Sequence, residues 1–539
     1  MPLLSEFRGP VAPLLNETIP QALNRVAGRF PDREALVVRH QNVRLTWSQL
    51  VDQTGRVARG LLDLGLQPQD RVGIWASNCV EWVLLQYACA WAGLVLVNVN
   101  PAYRSHDLGY ILGKSRMRAL VLRAQDARAD YRAILNEARA DRPLPLDHVI
   151  WLGEEPWEKL AGSAGPAPIL PTDPDVVVNI QYTSGTTGSP KGVLLTHRGL
   201  LNNAAEFARQ LNYSETDVCC WPFPLYHCAG CVLGVLTAMT TGAAIVIPSA
   251  QFDPLAVLEA IGQERATILS GVPTMFIATL EHPEFRRFDL SSLRTALIGG
   301  AFCTVELMKR VTSEMKCSNV LIIYGQTEAS PLITMSTPED SLDLRITTLG
   351  RAIPNVEVKI TDPITGFSKH IGEQGEICTR GYLVMKGYDG EPEATAKTID
   401  TDGWLHTGDL GIMLEDGHVK ITGRAKEMLI RGGENIFPRE IEEFLVTHPK
   451  ISDVAVVGIP DRKTGEAVLA WIRLKAGVTA TENEIREFCT GKIAHYKIPE
   501  FIRFVDAFPM TVTGKVQKFK IQEIEIRERG LEKSTAAHE

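Results

Sequence analysis

The sequence predicts an α/β protein: a large N-terminal domain of layered α/β sheets, followed by a smaller α+β C-terminal domain. Three observations carry this. Short β-branched runs alternate with longer amphipathic or apolar segments through Gly325, the pattern of a largely parallel sheet with helical connections. At 539 residues the chain exceeds one ordinary domain. After about Gly423 the texture changes to a charged, glycine-bearing connection that leads into a new helix.

Taken in order, Thr46 and Gln49 form a capping box. Leu50, Val51, Val57, Ala58, Leu61 and Leu62 then recur at helical spacing until Gly65. "RVGIW" at Arg71–Trp75 reads as a strand, Val80–Trp91 as an apolar helix, Gly93 as a breaker and "LVLVNV" as the next strand. "VVVNIQY", "AAIVIP", "TALIGG" and "VLIIYG" continue the series, each ending where small or polar residues begin, which is where functional loops sit in such sheets. Beyond Gly423, Pro438 marks a helix start, "DVAVVGIP" a strand, Glu482–Cys489 a helix and "TGKVQKFK" a closing basic segment.

A composition of 45% hydrophobic and 22% charged residues suits a water-soluble globular protein. The net charge of -8 gives no global attraction to nucleic acid or an anionic membrane, so any polyanion must be held locally. "MPLLSEFRGPVAPLL" carries Glu6 and two prolines where a secretory signal needs a basic start and an unbroken apolar run, and a cytoplasmic location is expected. The ten cysteines are then expected as reduced thiols. Two uncharged stretches, Val83–Tyr103 and Cys228–Phe252, are long enough to be weighed as membrane spans. Each is broken internally by glycine and polar residues, and a buried helix followed by a buried strand is expected at both. Cys219, Cys220, His227, Cys228 and Cys231 crowd together without a compact ligand spacing, and Asp402, His406 and Asp409 form no known pattern; neither group is read as a metal site.

The densest local signal is "YTSGTTGSPKG" at Tyr182–Gly192. Gly185, Gly188 and Gly192 permit close backbone approach, and Thr183, Ser184, Thr186, Thr187 and Ser189 add hydroxyl donors before Lys191 supplies a positive charge. That is the composition of a phosphate cradle. A P-loop needs Gly-Lys followed by Ser or Thr, whereas the order here is Pro190-Lys191-Gly192, and Ser184 does not sit in a hydrolase elbow.

Together with "YGQTEASP" at Tyr324–Pro331, "GWLHTGDLG" at Gly403–Gly411, "GRAKEMLIRGGENIFPREIE" at Gly423–Glu442 and "TGKVQK" at Thr513–Lys518, this loop resembles the adenylate-forming superfamily. That superfamily comprises acyl-CoA synthetases, stand-alone adenylation domains and firefly-type luciferases. The resemblance implies that residues 1–425 hold ATP and the acyl pocket, and that residues 426–539 form a mobile lid hinged near Lys426. It further implies that Thr183, Ser184, Gly185, Thr186, Thr187, Gly188 and Lys191 hold the β and γ phosphates. Tyr324 would stack on adenine with Gly299, Gly300 and Ala301 near the base, and Gly325 and Gln326 would continue the nucleotide site. Thr327 would lie near the phosphates, Glu328 would bind Mg2+, and Asp409 and Arg424 would hold the ribose. His227 would line the acyl pocket, Lys515 would contact the carboxylate and α-phosphate, and Gly432 and Gly433 would form the passage for CoA. By composition alone Lys515 is only one of several basic residues near the C-terminus.

The implied reaction takes a small carboxylic acid, ATP and CoA, with no nucleic acid and no transmembrane segment; the oligomeric state stays open, a homodimer being one option. "NVNPAYRSHDLGYIL" and "YGQTEASPLITMS" run with the medium- and long-chain fatty acid ligases. An aryl acid, a carrier protein in place of CoA, or oxygen as second substrate are the alternatives. A non-catalytic nucleotide sensor would lack Lys515, Glu328 or Asp409, and all three are present. The chain departs from many relatives at Lys426-Glu427, where they carry Lys-Asp, and at Arg431, for which the sequence offers no reason.

Overall fold

The computed structural model describes residues 3–531 apart from 142–145, 166–167, 169–170, 184–189, 301–302, 304, 425–426, 432–433 and 512–515; the side chains of 141, 434 and 435 also lie outside the description. The chain forms two compact units. The larger comprises Phe7–Val358 and Thr379–His406; the smaller comprises Met1–Glu6, Lys359–Cys378 and Thr407–Glu539. The chain therefore passes between units four times, where the sequence suggested one passage near 426. The proposed hinge is a separate matter, because it concerns motion and Lys426 lies outside the described residues.

Among the described residues, the larger unit is built on two sheets. One runs in the order Gly387–Tyr388, Lys191–Thr196, Val177–Thr183, Val95–Asn98, Arg71–Trp75, Ala119–Leu122, His148–Trp151. From Val177–Thr183 onward its neighbours are parallel, as the alternating pattern required. The other has nine strands, with a parallel centre running from Glu34–Val38 to Asn319–Gly325 and antiparallel strands at each edge. The β-branched runs form strands because both faces are covered. Val95, Val97, Leu120, Leu122 and Ile180 share one core with helical Leu108, Ile111 and Leu135; Val246, Leu269, Ile298 and Val320 share another with Leu258, Phe276 and Met308.

Local signals are realised closely. Thr46 Oγ1 accepts from Gln49 N at 3.3 Å while Gln49 Oε1 accepts from Thr46 N at 2.9 Å, which starts the helix Trp47–Asp63. Both uncharged stretches are helix followed by strand. Val80–Trp91 is buried on every side except Glu81 and precedes Val95–Asn98; helical turns over Cys228–Thr241 precede Ala244–Ile247. No helix among the described residues is long and apolar enough to cross a membrane.

The helix His197–Gln210 opens on a histidine that burial pushes down to about 4, and its Nδ1 accepts the Ile19 N–H at 3.3 Å. A base whose folded pKa lies below its unfolded value binds fewer protons when folded, so its neutral form stabilises the fold above the unfolded pKa. That contribution is lost as pH falls from about 6.5 toward 4, at about 1.4 kcal/mol per pH unit. The denaturant midpoint is expected to fall across that window, and His197→Asn is expected to lack this part of the slope.

In the smaller unit, Glu434–Ile436, Leu429–Arg431, Gly465–Leu474 and Ile451–Asp461 form a sheet in that order, with Phe501–Phe504 parallel to Gly465–Leu474. Pro438 opens the helix Pro438–Val446, and Thr481 caps Glu482–Cys489. Arg431 now has a reason. Its guanidinium donates to the carbonyls of Tyr496 and Ile498 at 2.9 and 3.3 Å and to Glu500 Oε2 at 2.7 Å, strapping the segment that enters the Phe501–Phe504 strand.

Candidate active site

The strand Val177–Thr183 pairs antiparallel with Lys191–Thr196, so that Thr183 faces Lys191 and Tyr182 faces Gly192. The second strand therefore begins at Lys191. Thr183 and Lys191 form the neck of the loop, while Ser184, Gly185, Thr186, Thr187 and Gly188 lie outside the described residues. The hairpin stands at the C-terminal end of a parallel strand, where an α/β sheet presents its ligands.

At the edge of the same sheet, the two-residue strand Gly387–Tyr388 pairs with the hairpin, Tyr388 facing Val193. Lys191 Nζ lies 4.9 Å from the centroid of the Tyr388 ring, and the Tyr388 hydroxyl donates to Glu328 Oε1 at 2.9 Å. Burial, with the Glu328 charge beside it, pushes the phenol well above its ordinary value, so the hydroxyl stays a donor through neutral pH. Glu328 is held on a short helical turn, Thr327–Ala329, directly after the strand Asn319–Gly325 that carries Tyr324. Two glycines here are required by space. A Cβ on Gly299 would meet Ile323 Cγ1 at 2.4 Å, and one on Gly325 would meet the Pro331 carbonyl oxygen at 1.9 Å. Gly300 follows with φ +76, in the region that favours glycine. Tyr324 and Gln326 are half-buried beside them, and Ala301 lies outside the described residues.

His227 and Thr327 approach each other through Cys228. The thiol Sγ lies 3.5 Å from Thr327 Oγ1 and 3.7 Å from His227 Nδ1, which also accepts the Ala229 N–H at 3.1 Å. An Nδ1 that accepts from the backbone must leave its proton on Nε2. The other cysteines of this stretch, Cys219, Cys220 and Cys231, are buried free thiols pushed up by burial, and with His227 they gather no metal-ligand group among the described residues. Beneath, a buried amide ladder supports the segment. Asn179 Nδ2 donates to Asn98 Oδ1 at 2.9 Å, Gln181 Nε2 to Asn179 Oδ1 at 2.7 Å, and Asn98 Nδ2 to the Tyr226 carbonyl at 3.0 Å.

In the smaller unit, Asp409 and Arg424 face each other on antiparallel strands, Arg424 Nε donating to Asp409 Oδ1 at 2.6 Å. Lys426, Gly432, Gly433 and Lys515 lie outside the described residues. Sequence reading missed Tyr388 and the amide ladder. A two-residue strand leaves no periodicity to detect, and Asn98, Asn179 and Gln181 read as strand residues of no particular role.

Two parallel-centred sheets, a hydroxyl-rich hairpin loop necked by a lysine, and a carboxylate presented after a strand of the other sheet define a nucleotide-using enzyme of the adenylate-forming type. The chain belongs to the AMP-binding enzyme family, and within it to the acyl-CoA synthetase branch of the adenylate-forming superfamily. The profile of the AMP-binding enzyme matches residues 23–389, and that of the AMP-binding enzyme C-terminal domain matches residues 440–515. The Bacillus subtilis (strain 168) protein named "Putative acyl-CoA synthetase YngI" is 46% identical over 95% of this chain and 98% of its own. The mitochondrial medium-chain acyl-CoA ligase ACSF2 of Rattus norvegicus is 40% identical over 95% of this chain and 88% of its own. Among solved structures, ATP-bound MatB from Rhodopseudomonas palustris is similar with a TM-score of 0.84 at 29% identity, covering 94% of this chain and 98% of that one. The anthranilate CoA ligase AuaEII in complex with anthranoyl-AMP is similar with a TM-score of 0.86 at 26% identity, covering 95% and 98%.

Proposed function

We propose that the protein is an acid–thiol ligase that activates a medium- to long-chain fatty acid with ATP. The acid gives acyl-AMP and pyrophosphate, and the CoA thiol then displaces AMP to give acyl-CoA. The observation that carries the reading is the continuity of His227, Cys228 and Thr327, which joins the wall assigned to the acyl chain to the turn assigned to the phosphates. A carboxylate brought along His227 would meet the α-phosphate where the two sites adjoin, and orientation of this kind supplies much of the barrier reduction. The acyl-CoA synthetase name of YngI and the acyl-CoA ligase name of ACSF2 support CoA as acceptor, and the medium-chain name of ACSF2 supports an aliphatic acid.

Thr183 and Lys191 at the neck of the loop hold the β and γ phosphates together with the loop's own hydroxyls. Tyr324 stacks on adenine beside Gly299 and Gly300; Asp409 and Arg424 engage the ribose. Glu328 suits Mg2+, which prefers carboxylate oxygen, and its Oε1 is oriented by Tyr388. Magnesium bound there with ATP supplies charge neutralisation on the phosphate oxygens. Lys515 neutralises the two anions as they meet, and a turn at Lys426 exchanges it for the Gly432-Gly433 segment that admits CoA. No protein nucleophile is required, because the acyl phosphate anhydride is itself the electrophile.

The test is pyrophosphate release with Mg-ATP across straight-chain, branched and aromatic acids, with and without CoA. CoA-dependent turnover peaking on aliphatic acids of one length range is expected. A peak on aromatic acids would assign the pocket to the aryl class to which AuaEII belongs by name. Acyl-AMP that accumulates despite CoA would overturn CoA as the acceptor.

A further inference from the structure

We propose that Tyr388 is a positioning residue that keeps Lys191 and Glu328 apart and aimed, reserving the ammonium for phosphate and the carboxylate for the metal. The inference rests on the roles proposed above for those two residues. Lys191 and Glu328 carry opposite charges at the two ends of one tyrosine, and among the described residues neither has an ion-pair partner. Tyr388 lies between them, its ring face toward Lys191 Nζ at 4.9 Å and its hydroxyl on Glu328 Oε1 at 2.9 Å. A ring face attracts the ammonium without taking a hydrogen bond from it, and the hydroxyl occupies one carboxylate oxygen as a neutral donor. Both charges are thus oriented yet not cancelled.

The backbone explains why the tyrosine can do this. Tyr388 faces Val193, two residues along the strand from Lys191, and side chains two apart share a face of a strand. Lys191 is therefore the diagonal neighbour of Tyr388. The tyrosine is fixed from behind: its N–H donates to Thr395 Oγ1 at 2.9 Å, and the next residue, Asp389, is clamped by both Nη atoms of Arg71 at 2.6 and 2.8 Å. A phenylalanine would fill the same volume, so the hydroxyl on Glu328 Oε1 is the part that packing does not require.

The experiment is calorimetric titration of ATP into the full-length protein with and without Mg2+, for the wild type, Tyr388→Phe, Tyr388→Leu and Glu328→Gln, and for Tyr388→Phe combined with Glu328→Gln. Tyr388→Phe keeps the ring face and removes the hydrogen bond to a charged group, so affinity for ATP with Mg2+ is expected to fall about tenfold while affinity without Mg2+ stays within about twofold. Tyr388→Leu removes both contacts and is expected to weaken both titrations. In the Glu328→Gln background, Tyr388→Phe is expected to add nothing. Equal weakening with and without Mg2+, wild-type behaviour in Tyr388→Phe, or an undiminished penalty in the Glu328→Gln background would each overturn the proposal. A wild-type protein whose ATP affinity ignores Mg2+ would instead remove the role of Glu328, and this proposal with it. Unfolding of Tyr388→Leu would leave the decision to the phenylalanine variant, which is isosteric.

Discussion

Replacing Lys515 by alanine is expected to slow acyl-AMP formation about 10²–10³-fold, the loss found when one well-placed charge-stabilising donor is removed from a reacting centre. Adenylation brings a carboxylate against a polyphosphate, so two anions approach and negative charge gathers on the α-phosphate. A fixed ammonium stabilises that arrangement more than it stabilises the separated ground state, and the effect should appear in kcat for the first half-reaction. The second half-reaction starts from a mixed anhydride whose charge is already reduced, and in the proposed cycle the lysine has by then left the site. Thioester formation from supplied acyl-AMP and CoA should therefore remain within a few-fold of the wild type. Rapid-quench measurement of both half-reactions checks this. Equal losses in the two would show that one lysine serves both steps in one arrangement, and the proposed turn at Lys426 would have no purpose.

Much of the framework was legible because it rests on local rules. Gln49 three residues after Thr46, proline at position 438 and β-branched runs ending in glycine each act through neighbours in the chain, and the structure realises them with little displacement. What escaped depends on partners far away in sequence. Arg431 is explained by carbonyls at 496 and 498, and Asn98 by Asn179 and the Tyr226 carbonyl, none of which a local window contains. The site divides in the same way. The phosphate loop announces itself by composition, but the roles of Tyr324, Glu328, Asp409 and Lys515 came from resemblance, since each taken singly is an ordinary strand, loop or surface residue. Tyr388 has neither a motif nor a period to betray it, and its place beside Lys191 and Glu328 is set by tertiary contacts alone.

Arg71→Ala is expected to destabilise the larger unit by about 3 kcal/mol, the low end of the loss seen when one member of a buried ion pair is removed. The Arg71 and Asp389 side chains are 18% and 7% exposed, and the guanidinium meets both carboxylate oxygens while also donating to the Ser115 carbonyl at 2.7 Å. Without it, the buried Asp389 carboxyl loses the guanidinium that meets both its oxygens, and that desolvation penalty, more than the attraction lost, sets the size of the effect. Arg71→Lys should recover little, because an ammonium cannot match the two-oxygen geometry. The double replacement Arg71→Met with Asp389→Leu should recover most of the stability, since neither charge is then left buried. Thermal and urea unfolding of the four proteins separates these cases. The effect also reaches the site. Asp389 N donates to the Gly192 carbonyl at 2.7 Å beside Lys191, and Asp389 follows Tyr388 directly in the chain. Arg71→Ala should therefore also weaken ATP binding in the presence of Mg2+ at temperatures well below its unfolding midpoint. If stability fell while that affinity held, the clamp would be a support of the fold alone, and the strand Gly387–Tyr388 would owe its place to its pairing with Val193 and Leu194.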